Sequence, residues 1–158
     1  MRLIGLIIII ITTFLYSCGK NEEVYKPAKM QDPYVTYKEG MNAFEKREFF
    51  FAEKKFSQAE LGFNNVELAA KSAIMSSFSF YAINFYDRAL NSLDRFIRTY
   101  PADKNIIYAK YLKAIIYFEQ ISDERKDIEP LIKADKEIEN FIKEFPESDY
   151  AIDLKFKK

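Results

Sequence analysis

Apolar positions along most of the chain recur at spacings of three and four, as in Ile128, Leu131, Ile132, Ile138, Phe141, Ile142 and Phe145. That period places them on one face of an α-helix, and little of the chain alternates as a half-buried strand would. The pattern predicts an all-α protein. Helices are expected in pairs near 33 to 46 with 49 to 62, 66 to 83 with 86 to 100, and 104 to 121 with 127 to 145. Asp32-Pro33 opens the first, because Asp accepts from free amides of the first turn and Pro loses nothing at the first helical position. Ser148 is placed to cap one further helix through Ile152 and Phe156 into Lys155, Lys157 and Lys158, whose charges suit a helix C-terminus.

Sliding the sequence against itself by 37 residues aligns Gly40, Ser77 and Ala114, and then Phe44, Tyr81 and Phe118. Ala52 and Ala89 follow in register, and Ala134 joins them if eight extra residues are accommodated within Ser122 to Lys133. The later columns are Phe56, Leu93 and Ile138, then Ala59, Phe96 and Phe141, then Phe63, Tyr100 and Phe145, with Asn64, Pro101 and Pro146 closing each unit. Small residues on one helix facing alanines on the next let a pair approach closely, while larger residues fill the space between pairs. Proline stops the second helix. The pattern resembles the tetratricopeptide repeat in a slightly longer period, and implies a right-handed superhelical solenoid of about three helix pairs plus a terminal helix. The resemblance covers roughly Pro33 to Lys158.

The first residues follow a different logic. Met1 and Arg2 precede an apolar run of 14 residues, Leu3 to Tyr16, followed by Ser17-Cys18-Gly19. A membrane-spanning helix needs about 20 apolar residues, so the run reads as a signal peptide over residues 1 to 17. Leu15-Tyr16-Ser17-Cys18 resembles a bacterial lipobox, with Tyr16 bulkier than the usual small residue. The resemblance implies lipidation of Cys18, with Gly19 directing the protein to the periplasmic face of the outer membrane. A plain signal peptide with an incidental cysteine is the other reading. Acyl chains contribute roughly 0.8 kcal/mol per buried methylene, so two or three hold a protein on a bilayer. Residues 18 to 31, with Lys26, Pro27 and Lys29, read as a tether to a folded domain over 32 to 158.

Composition narrows the chemistry. The 158 residues carry 24 Lys+Arg and 24 Asp+Glu, so no net charge favours nucleic acid as a partner. There is no His and one Cys, which removes imidazole bases, Cys/His metal sites and an internal disulfide. Gly40 and Gly62 are isolated, so no phosphate-cradling loop is present. Carboxylates such as Glu137, Glu139, Asp87 and Asp94 sit where amphipathic helices face water. No cofactor, metal or catalytic residue is expected, and an enzyme such as a cell-wall hydrolase is the remote reading.

Aromatic content is high, with 15 Phe and 11 Tyr. In tetratricopeptide arrays the first helix of each pair lines the concave face, which here offers Tyr34, Tyr37, Met41 and Phe44, then Ile74, Phe78 and Tyr81, then Tyr108, Tyr111, Ile115 and Phe118. Such rings supply a groove for an extended or amphipathic peptide, or else pack helix on helix. Tyr34, Tyr37 and Tyr111 rank first for the groove, because an exposed phenol needs no partner. The charged run Ser122 to Asp127 reads as a docking loop or a solvated connection.

The lipobox, tether, Asp32-Pro33-Tyr34 and long repeats together resemble the BamD family, lipoproteins of the bacterial outer-membrane β-barrel assembly machinery. The most specific strings are Asn84 to Pro101, Tyr108-Ala-Lys-Tyr-Leu112 and Tyr117-Phe-Glu-Gln-Ile121, with Tyr37 to Ala43 and the Arg125/Asp127 pair, split here by Lys126, in support. Family members usually carry five repeats, so the chain is expected to hold three and part of a fourth, as a C-terminally truncated form. The resemblance implies a scaffold whose partners are other subunits of that machinery, unfolded outer-membrane proteins and, through its anchor, the membrane. A periplasmic repeat lipoprotein serving cell-envelope or cell-division proteins is the alternative.

Overall fold

The computed structural model describes residues 31 to 121 and 128 to 158. The expected signal peptide, Cys18, nearly all of the tether and the charged run Ser122 to Asp127 lie outside the described residues. Within them the chain is helical: α1 Pro33–Glu45, α2 Phe49–Gly62, α3 Val66–Tyr81, α4 Tyr86–Thr99, α5 Ile106–Glu119, α6 Glu129–Glu144 and α7 Asp149–Lys157. This is the all-α repeat layout expected from the periodicity, with boundaries displaced by two residues or fewer. Each helix packs mainly on its neighbours in the chain, and α7 also touches α5, the one-dimensional connectivity of a helical repeat.

The caps form as their residue types dictate. Asp32 Oδ1 accepts from Tyr34 N at 2.9 Å with Pro33 behind it, and Ser148 Oγ accepts from Tyr150 N at 3.2 Å. Asn65 adds a third, accepting from Leu68 N at 3.1 Å. The turns within the first two pairs share one closing geometry. Arg47 and Asn84, 37 residues apart, take left-handed φ of 64° and 59°. After each, the next amide reaches back into the helix, Glu48 N to Ala43 O at 2.9 Å and Phe85 N to Phe80 O at 3.0 Å. Both are Schellman motifs. Asn tolerates that conformation, whereas Arg47 adopts it at a steric cost that the closed turn must offset.

The aligned columns are the core. Ser77, Ala114, Ala52 and Ala89 are fully buried, and Ala134 is 1% exposed, which supports the inserted register of the third unit. Gly40 is buried so closely that a Cβ there would lie 2.9 Å from two ring atoms of Phe56. Phe56, Leu93 and Ile138, then Ala59, Phe96 and Phe141, are buried in turn. Full burial of a large side chain stabilises by roughly 1.5 to 3 kcal/mol, which makes these columns the dominant favourable contribution. The terminal helix buries Ala151 and Leu154 completely in a cluster with Ile115, Ile138 and Phe141 of the preceding pair.

Polar ties cross the seams between pairs. Both carboxylate oxygens of Glu60 on α2 accept from Arg95 on α4, at 2.5 and 2.7 Å, and Tyr100 OH donates to the same group at 2.9 Å. Glu60 is buried, so this bidentate pairing satisfies a charge that would otherwise be costly to desolvate. Lys113 on α5 bridges Asp94 on α4 at 2.9 Å and Glu137 on α6 at 3.4 Å.

Ala89 tests the register. Its methyl group is wholly enclosed within the second pair, so Ala89→Trp is expected to cost about 1 to 3 kcal/mol or more by overpacking. Thermal unfolding followed by circular dichroism reads it, and an unchanged melting temperature would contradict the register.

Candidate functional site: an aromatic face on the first helices

The first helices of successive units, α1, α3, α5 and α7, present a connected row of rings. Phe44 on α1 lies 5.6 Å from Phe78 on α3, and Phe78 lies 5.6 Å from Tyr81 and 6.4 Å from Tyr108 on α5. Tyr108 continues to Tyr111 at 6.4 Å and to Tyr150 on α7 at 6.0 Å. Tyr111 and Tyr150 stack with centroids 4.5 Å apart. These separations fall within the range in which aromatic pairs attract beyond simple area burial. The row crosses three unit boundaries without a break.

Beside it, between α3 and α5, opens a cavity of about 580 Å³. Leu68, Ile74, Met75, Phe78 and Tyr108 give it apolar walls, and Lys71, Glu67 and Lys104 stand at its polar edge. Glu67 and Lys104 are paired at 2.6 Å across the two helices, which holds the Glu67 carboxyl below its ordinary range. Lys71 Nζ sits 5.4 Å from the Tyr37 ring centroid, within cation–π reach. An apolar pocket with a few polar groups at its margin fits a side chain projecting from a peptide. Among the described residues no group of acidic or cysteine side chains is arranged to hold a metal ion.

The expected groove residues divide into three. Phe44, Phe78, Tyr81, Tyr108 and Tyr111 form the row. Tyr34 and Tyr37 are turned toward the end of α2, where Tyr34 meets Phe63 edge-on at 5.0 Å and Tyr37 lies 5.4 Å from Phe56 and 6.5 Å from Phe63. Tyr34, 62% exposed, is the freest ring of the set. Met41 and Phe118 pack against core clusters of the first and last pairs, and Ile74 and Ile115 are buried.

Tyr111 differs from its expected role as an unpartnered phenol. Its hydroxyl donates to Asp153 Oδ2 on α7 at 2.9 Å, and burial together with that bond pushes its pKa up to about 12. Tyr81 and Tyr86 both donate to Glu119, at 2.8 and 3.2 Å. Burial first, and then the Glu119 carboxylate, hold the Tyr81 hydroxyl well above its usual value. These phenols position the row. Tyr150, Lys71, Met75 and Leu68 complete the site, and extending the first-helix face into the last helix would have flagged Tyr150.

Residues 29 to 157 match the family model of the YfiO outer membrane lipoproteins. The chain belongs to that family. Two relatives are the outer membrane protein assembly factors BamD of Caulobacter vibrioides and Rickettsia prowazekii. The first is 40% identical over 63 residues, 40% of this chain and 21% of that protein. The second is 40% identical over 62 residues, 39% of this chain and 25% of that protein. The aligned stretch thus spans a quarter or less of either relative. Membership associates the chain with the outer membrane, and no helix among the described residues is long and apolar enough to cross one.

The phenol–carboxylate pair gives a pH signature. A tyrosine whose folded pKa is raised contributes stability that is complete below its unfolded pKa near 10 and is lost as pH rises through about 12. Denaturant unfolding at stepped alkaline pH should show stability falling across that window, with a shallower fall in Tyr111→Phe. An identical slope in the variant would contradict the pairing with Asp153.

Proposed function

We propose that this chain is a lipid-anchored scaffold of the outer-membrane β-barrel assembly machinery, whose aromatic row and cavity receive extended segments of unfolded outer-membrane proteins. Residues 1 to 17 are its signal peptide, acylated Cys18 its attachment to the periplasmic face of the outer membrane, 18 to 31 its tether and 32 to 158 its repeat domain. It binds partners and turns over no substrate. The observation that carries this reading is the row of rings through Phe44, Phe78, Tyr108 and Tyr150, in contact across successive units and flanked by a cavity able to take a side chain.

An extended chain presents side chains at intervals of about 3.3 Å per residue, alternating in direction, so a row of rings can be met by every second residue. Rings give large contact area with little rotamer entropy to lose, and tyrosine hydroxyls accept or donate at the margin. Lys71 adds positive charge at the edge of the cavity, where Lys104 is already paired with Glu67. Recognition of this kind tolerates many sequences, as suits a subunit meeting many clients.

A photoreactive phenylalanine analogue in place of Phe78, in cells, is expected to cross-link outer-membrane proteins, while mild-detergent purification recovers the assembly machinery. Phe78→Ala with Tyr108→Ala should weaken client capture by roughly 5- to 30-fold, the usual cost of removing central aromatic contacts. Cell-wall or division proteins as the dominant adducts would overturn the assignment and favour the other scaffold reading.

A further inference from the structure

The aligned turns of the first two units differ at the positions facing solvent. With Arg47 on Asn84, Phe49 falls on Tyr86, Phe50 on Asp87, Phe51 on Arg88 and Ala52 on Ala89. The second unit thus places charges where the first places two phenylalanines. Phe50 is 58% exposed and Phe51 48%. Phe50 meets Phe85, itself 43% exposed, edge-on at 5.0 Å, so these two rings form an outward pair spanning the two units, with exposed Phe51 next along α2 and Lys55 Nζ 5.3 Å from its ring. None of the three belongs to the aromatic row of the first helices. Neither Phe50 nor Phe51 belongs to the buried face of α2, which is Ala52, Phe56, Ala59 and Glu60.

Exposed Lys46, Arg47 and Lys54 flank the rings, outnumbering exposed Glu45 and Glu48. Glu53, the other acidic residue of this stretch, is turned inward, accepting from Ser57 at 2.9 Å and Ser76 at 3.3 Å. Exposed aromatics framed by lysine and arginine fit the interface of a bilayer, where rings sit at headgroup depth and cations meet phosphates. The sequence also limits how far a surface attached at Cys18 can be: the 13 peptide links from Cys18 to Gln31 span at most about 47 Å, at roughly 3.6 Å each.

We propose that Phe50, Phe51 and Phe85, with Lys46, Arg47 and Lys54, form a second contact with the lipid surface, so that the protein is held by its anchor and oriented by this patch. The inference rests on acylation of Cys18. One lipid anchor fixes a molecule to a membrane but leaves its rotation free, and a distant peripheral contact restricts it. With Phe50, Phe51 and Phe85 seated on the bilayer, the first two units face the membrane along their turn edge, leaving the row of rings on the first helices open from the side.

The chain contains no tryptophan, so a single introduced one reports alone. Phe50→Trp and, as a control on the last helix, Phe156→Trp are prepared as the acylated full chain and reconstituted into phosphatidylethanolamine and phosphatidylglycerol vesicles with brominated acyl chains. The expected result is blue-shifted emission quenched several-fold for Phe50→Trp and little quenching for Phe156→Trp, with loss of the Phe50→Trp quenching when Phe51→Asp and Phe85→Asp are added. Mass measurement of the same preparation reads the acyl chains on Cys18. An acylated protein whose Phe50→Trp emission stays unquenched, shifts only when another protein is added, or is quenched no more than the control, overturns the patch alone. An unmodified Cys18 overturns the anchor and the patch with it.

Discussion

The structure depends on how closely the two helices of a pair can approach. Gly40, Ser77 and Ala114 on the first helices, and Ala52, Ala89 and Ala134 on the second, are buried with side chains no larger than a methyl or hydroxymethyl group, which leaves room between the backbones for the larger residues of the same pair. Phe56 fills the remaining space at Gly40 so completely that a single added methyl would overlap its ring. Because each pair is thin, the next pair can bury its own large residues against it, and the first helices come to lie side by side. Only then can Phe44 meet Phe78, and Phe78 meet Tyr108, across unit boundaries. The row of rings is a product of core packing on the opposite side of the same helices.

The polar ties follow the same geometry. Glu60 with Arg95 and Tyr100, Lys113 with Asp94, and Tyr81 with Glu119 join elements of adjacent units, and Lys113 with Glu137 joins the two helices of the third. Neutral net charge is thus compatible with extensive ionic order, because charges are matched along the seams. Exposed pairs of this kind contribute little each, whereas Glu60 is buried, so removing Arg95 would leave a buried charge unpaired between the first and second units.

Much of this was legible in the sequence because its causes are local or periodic. Asp32-Pro33 and Ser148 announce helix starts through hydrogen-bond chemistry that acts within three residues, and the columns of small and large residues recur because each unit solves the same packing problem. The destinations of individual rings were less legible. Tyr111 and Tyr34 look alike in sequence, yet one is taken by Asp153, 42 residues away, and the other remains exposed. Arg47 carries no propensity for the left-handed turn it occupies, which becomes visible only by its alignment with Asn84. Glu60 reads as a surface carboxylate until α4 brings Arg95 against it.

Thermal stability of Gly40→Ala tests the central claim most directly. In an ordinary helix interior this change stabilises by up to about 1 kcal/mol, because alanine loses less backbone entropy. Here the new Cβ would stand 2.9 Å from the buried Phe56 ring and 3.3 Å from Lys55 Cβ. The account predicts a lower melting temperature despite the better helix former, since a ring buried on all sides cannot yield cheaply. A melting temperature equal to or above that of the unaltered protein would show that close approach of the paired helices is not the constraint on which the fold rests.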